Sequence, residues 1–233
     1  MATIIEIETS GSVCSAALTS EGMVLAHRED FEGRNHATLL SGFVKYCLDY
    51  AREHELQPDA VAVSVGPGSY TGLRIGLSEA KGLAYALGIP LIGVDTLQLL
   101  ATRVMFSTND IDSETIFVPM VDARRNEVYT AAYDMGLTEL IKPCAMILDA
   151  DSYAEIKKSG RPVLYFGSGA AKAQELFAEA TTAQYVPDVE ALAVDMIALA
   201  EMAYAQRRFI DVAYSTPSYL KEFQATTPKN KVL

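Results

Sequence analysis

The residues with the clearest chemical potential lie in the stretch Val65-Gly66-Pro67-Gly68-Ser69-Tyr70-Thr71-Gly72-Leu73-Arg74-Ile75-Gly76. It follows the apolar run 59–64 and opens a long apolar segment, so it reads as strand, glycine-rich turn and helix start. Such a turn can present backbone N–H groups at a helix N-terminus, the basis of many phosphate sites. The plainer reading is that Gly-Pro-Gly makes the turn while Ser69 or Thr71 caps the helix. Gly167-Ser168-Gly169 is a second turn of the same kind. Glu6 and Glu8 alternate on one strand face as paired carboxylates would. With no basic or metal-binding companion in view, edge-exposed charge is the simpler account. Arg124 and Arg125 lie in a turn where they could contact an anion, although an exposed hairpin tip explains them as well. His27, His36 and His54 form no His-Glu-x-x-His pattern, and no Gly-x-Ser-x-Gly elbow occurs. His36 marks a helix start, where it caps or meets a partner.

The elements that must position these residues follow from apolar periodicity. Three strands are expected at 4–9, 13–19 and 23–29, joined by Ser-Gly-Ser and Ser-Glu-Gly turns that suit hairpins. A helix at 36–53, a strand at 60–65, a helix at 71–87 and a strand at 91–94 complete the first half, with Gly88 and Pro90 as stop signals. The second half repeats the plan. Strands at 115–121, 127–133 and 137–142 precede a helix at 151–158, a strand at 163–166, a helix from Ala170 and a long helix over 189–207. Two successive βββαβα patterns indicate an α/β chain of two ribonuclease-H-like lobes, as in the actin/Hsp70/sugar-kinase superfamily. The lobes are placed at 1–102 and 103–223, with polar residues 107–114 as the connector and the last segment of the second lobe packing back on the first. Residues 224–233 are read as a flexible tail.

With 233 residues, half of them hydrophobic, the chain can bury a substantial core. Its net charge of −11 argues against gripping nucleic acid unaided, since that affinity rests on Lys and Arg neutralising phosphates. The start Met-Ala-Thr-Ile-Ile-Glu lacks a signal-peptide pattern, and no run approaches a membrane span. Cys14, Cys47 and Cys144 are odd in number and set among apolar residues, which fits reduced thiols in a cytoplasmic protein.

Gly66 to Gly76, as GPGSYTGLRIG, resembles the signature of the bacterial TsaB (YeaZ-type) family. Four further segments fit that family in order: 5–10 (IEIETS), 35–40 (NHATLL), 121–129 (VDARRNEVY) and 217–221 (PSYLK). The resemblance implies the same two-lobed fold and a non-catalytic subunit. It would bind a TsaD-like catalytic subunit and support threonylcarbamoyl transfer to adenosine 37 of tRNA. A TsaE-like ATPase would be the third partner, tRNA would be touched only through the complex, and the chain alone would form a homodimer. No cofactor or metal is implied. Compared with TsaD-type proteins, Gly11-Ser12-Val13 stands where acidic residues follow the first strand. Thr96 and Leu100 stand at the His-x-x-x-His metal positions, and Asp122-Ala123-Arg124-Arg125-Asn126 replaces a small glycine-containing turn. The alternative is an active nucleotide-dependent kinase or ATPase of the same superfamily, kept open by the two glycine loops.

The helix from His36 gathers Leu39, Leu40, Phe43, Val44 and Cys47 into an apolar arc of roughly 200°, whereas packing on one sheet needs little more than about 100°. The helix from Thr71 carries a similar arc through Leu73, Gly76, Leu77, Ala80 and Ala84. One edge of each arc is expected to pack inward and the other to meet a partner.

Overall fold

The computed structural model describes residues 2–33 and 35–221. The tail expected at 224–233 lies outside the described residues. The first half forms β1 (Thr3–Glu8), β2 (Cys14–Ser20), β3 (Met23–Asp30), α1 (His36–Glu53), β4 (Ala60–Gly66), α2 (Tyr70–Leu87), β5 (Leu91–Asp95) and α3 (Thr96–Ser107). The second forms β6 (Ile116–Asp122), β7 (Glu127–Tyr133), β8 (Glu139–Ile147), α4 (Ala154–Lys158), β9 (Val163–Phe166), α5 (Gln174–Phe177), β10 (Ala183–Val186) and α6 (Ile197–Ala205). The strands make two five-stranded mixed sheets, ordered β3-β2-β1-β4-β5 and β10-β9-β6-β7-β8. Each has an antiparallel three-strand meander followed by parallel strands. This is the expected pair of ribonuclease-H-like lobes.

The packing is layered because each sheet is apolar on both faces. Ile5, Ile7, Cys14 and Leu18 of the first sheet meet α1 and α2 through Leu40, Val44, Leu77 and Ala80. The opposite face, with Ile4, Ala62 and Ile92, shares one core with α3, α6 and Phe117, Tyr133 and Phe166 of the second sheet. The far face of the second sheet is covered by Tyr153 and Phe177. α2 ends where the sequence says it should: Gly88 takes a left-handed φ of 67° and its N–H returns to the Ala84 and Tyr85 carbonyls.

α3 and the last long helix differ from expectation. α3 was not foreseen; Asp95 caps it by accepting from the Leu97 and Gln98 N–H groups at 2.8 and 3.0 Å. It runs unbroken across position 102, where the lobe boundary was drawn. The long helix over 189–207 is shorter, a 3₁₀ turn (Ala193–Met196) leading into α6. Beyond α6 the chain crosses back to the first lobe, where the Ile210 N–H donates to the Leu91 carbonyl at 2.8 Å.

Glu6 and Glu8 correct the reading of edge-exposed charge. β1 is the central strand of its sheet, and both carboxylates are fully buried. Burial pushes the Glu6 carboxyl well above the usual carboxylate range, opposed by a hydrogen bond from Thr19 and reinforced by Glu201 and Asp195. Burial raises Glu8 too, opposed first by its hydrogen bond from Ser10. Burial therefore favours the protonated form of Glu6 in the folded state. Its stabilising contribution is complete below the ordinary value of 4.5 and is lost as pH rises through the raised folded value. Glu6→Gln, which keeps the acceptor for Thr19, is expected to stabilise the protein at pH 8 and to lose that advantage near pH 4.5. Each unit by which the folded pKa exceeds the unfolded one is worth about 1.4 kcal/mol at alkaline pH. Urea denaturation at the two pH values checks this; equal destabilisation at both would contradict it.

Candidate functional site

The signature loop is closed on itself. The Ser69 N–H donates to the Ser10 carbonyl at 2.7 Å, the Thr9 hydroxyl donates to the Gly72 carbonyl at 2.8 Å, and the Ser69 side chain caps α2 by accepting from the Gly72 N–H. A Cβ on Gly68 would fall 2.4 Å from the Ser10 carbonyl oxygen, and one on Gly72 would fall 2.1 Å from that of Thr9. The glycines are thus required by the close seating of α2 on the end of β1. From the other side, the Ser218 N–H donates to the Val65 carbonyl at 2.7 Å, and a Cβ on Gly66, at φ 118°, would come within 2.7 Å of the Ser218 oxygen. The Ser69 and Gly72 N–H groups and the Gly72 carbonyl are thus bonded within the chain, as the capping alternative requires.

The second glycine turn is sealed in the same way. The Gly169 N–H donates to the Met120 carbonyl at 2.9 Å, the Ser168 hydroxyl accepts from the Asp122 N–H, and a Cβ on Gly167 would lie 2.5 Å from the Met120 oxygen. Between the two loops runs the returning segment 217–221. Ser218 touches the first loop and Lys221 pairs with Glu127 on the second lobe. Arg124 and Arg125 are exposed at the β6–β7 turn, both at positive φ. Thr96 and Leu100 lie one turn apart at the start of α3, both buried. Leucine offers no ligand atom, so these positions do not fit a metal.

An open surface does exist between α1 and α2. A groove of about 480 Å³ runs along their outer junction, walled by Ala37, Ser41, Tyr70, Arg74, Ile75 and Ser78 among others. It shares Ala37, Thr71 and Ile75 with a second cavity at the N-terminal ends of the two helices. Arg74 frames it: its guanidinium carbon sits 4.3 Å above the Tyr70 ring, and its Nε donates to the Tyr219 hydroxyl at 3.0 Å. Tyr70 and Tyr219 stack at 5.2 Å.

Of the side chains expected at a partner interface, Leu40 also lines this groove. Leu40, Val44, Cys47, Leu73, Gly76, Leu77, Ala80 and Ala84 are buried, most of them in the core beneath α1 and α2. His36 is buried at the head of α1, and Leu39 and Phe43 are half-buried. The broad arcs are filled because α1 packs on β2 and β3 as well as on α2, so their apolar width is used within the lobe. The exposed groove residues Ala37, Ser41, Arg74 and Ser78 are small or polar. Their i, i+4 spacing on two neighbouring helices was the signal available.

Comparison with known proteins fits this arrangement. A family model described as "TsaD: tRNA N6-adenosine threonylcarbamoyltransferase" matches residues 30–229. A Bacillus subtilis protein named "tRNA threonylcarbamoyladenosine biosynthesis protein TsaB" is 35% identical over 167 residues, spanning 71% of this chain and 70% of that protein. This chain belongs to the TsaB family. An Escherichia coli protein of the same name is 29% identical over 94% of both chains. The solved structure of YeaZ from Pseudomonas aeruginosa superposes with a TM-score of 0.74 at 26% identity, over 94% of this chain and all of that one. A second structure from that organism, described as an uncharacterized protein with similarity to peptidase YEAZ, gives 0.77 at 27% identity over 95% of this chain and all of that one. The TsaB-like signature is thus the segment whose glycines seat α2 on Thr9 and Ser10.

Proposed function

We propose that this TsaB-family chain is a non-catalytic cytoplasmic subunit of the machinery that makes threonylcarbamoyladenosine on tRNA. It holds a TsaD-like catalytic subunit in working form. One observation carries this reading: both glycine loops are closed by the chain's own backbone, while the groove between α1 and α2 is open. A phosphate loop needs N–H groups turned outward, whereas docking needs an accessible surface with aromatic and arginine anchors. Tyr70, Arg74 and Tyr219 supply such anchors. On this reading the 1–102 lobe docks the partner, the 103–223 lobe braces it, and a second copy takes the same face when TsaD is absent. A TsaE-like ATPase joins the assembled pair. The net charge of −11 leaves tRNA to the other subunits.

Affinity purification of the full chain from its source cell, with mass spectrometry of what accompanies it, tests the proposal. A TsaD-like protein in near-stoichiometric amount is expected. Its absence, together with ATP turnover by the purified chain alone, would favour the kinase or ATPase alternative.

A further inference from the structure

The N-terminal ends of α1 and α2 lie side by side over a cavity of about 530 Å³. Ser12 from the β1–β2 turn, His36 and Ala37 of α1, and Ser69 and Thr71 at the start of α2 wall it, with Glu32 at the rim. Both helices are eighteen residues long, and their N-terminal ends, each the positive end of a helix dipole, border the same space. Asn35 gives α1 no side-chain cap. His36 is only 8% exposed, and its Nε2 has no hydrogen-bond partner among the described residues. A buried polar atom in that state is costly unless something outside the chain completes it. Ser12 and Thr71 add hydroxyl donors.

Two helix ends, hydroxyls and an unpartnered imidazole make a donor-rich pocket, with no lysine or arginine among the described residues of its wall. We propose that this cavity binds a small oxyanion, a carboxylate or a phosphate, with His36 Nε2–H as its buried donor. The exposed Glu32 carboxylate limits the charge the pocket accepts, so a monoanion is held better than a dianion. The proposal does not rest on the docking reading, because the isolated chain contains every group it uses.

The test is an NMR titration of the ¹⁵N-labelled full chain with sodium acetate and, separately, sodium phosphate, at constant pH and ionic strength set with sodium chloride. Saturable shifts of the His36, Ala37 and Thr71 amides are expected. Tighter binding of acetate identifies a carboxylate as the natural group, and tighter binding of phosphate identifies a phosphate. His36→Leu is expected to weaken binding about tenfold or more through loss of the buried donor. Glu32→Gln is expected to tighten it about two- to fivefold by removing a like charge. Ser12→Ala, at an exposed turn, weakens it about threefold and carries the test with Glu32→Gln should His36→Leu not fold. No saturable shift with either anion overturns the proposal, as does saturable binding that the folded variants leave unchanged.

Discussion

Ala37→Arg is expected to weaken association with the TsaD-like partner about a hundredfold, an interface hot-spot loss of nearly 3 kcal/mol. Its melting temperature should stay close to wild type. Ala37 is exposed on α1 and walls both the groove and the adjoining cavity. A guanidinium there fills the space a partner helix would enter without touching the core. Leu40→Arg, Val44→Arg, Leu77→Arg and Ala84→Arg give the opposite pattern. Those side chains are 1–4% exposed, so an arginine at any of them strands a charge in the apolar layer under the helices and unfolds the lobe. Titration calorimetry with the purified partner, paired with thermal melts, separates the two. An Ala37→Arg chain that still binds within threefold of wild type would remove the groove from the interface.

The second large effect is on the fold. Gly72→Ala is expected to cost about 3 kcal/mol or more, the severe end of overpacking. At about 2–4 °C per kcal/mol for a chain of this size, the melting temperature falls by roughly 6–12 °C. The added methyl would lie 2.1 Å from the Thr9 carbonyl oxygen, which is fixed backbone and cannot step aside. Gly82→Ala, on the same helix with nothing within 4 Å of the new Cβ, is expected to stabilise by about 0.5–1 kcal/mol through helix propensity. Differential scanning calorimetry of the two variants checks the pair. Similar melting temperatures would mean that α2 is not seated on Thr9 as described.

These results show where the sequence could be read and where it could not. α1, α2 and β7 were legible almost to the residue because local signals mark them, such as Gly88 and Pro90 closing α2. α3 was not. Thr96, Leu97, Leu99, Leu100 and Ala101 are all buried, so the helix shows no polar face and its periodicity is flat. The alternation Ile5-Glu6-Ile7-Glu8 looked like a half-exposed strand. The charges that act on buried Glu6 come from far along the chain, at Asp195 and Glu201. The candidate site shows the same division. The signature string identified its helix, but the direction of each face was set by packing partners that only the fold supplies. Ala37, Leu40 and Ser78 therefore line the groove, while Val44 and Leu77 lie in the core beneath it.

The core shared by the two sheets has a mechanical consequence. α3 and α6 are packed between Ile4, Ala62 and Ile92 on one side and Phe117, Tyr133 and Phe166 on the other, and Arg103 of α3 is bonded to Asp195 at 2.7 Å. Close-packed interiors of this kind resist gradual deformation. Among the described residues, opening the lobes would therefore expose this shared apolar core to water. That exposure is the cost any separation of the two sheets would carry, since α3 and α6 fill the space between them.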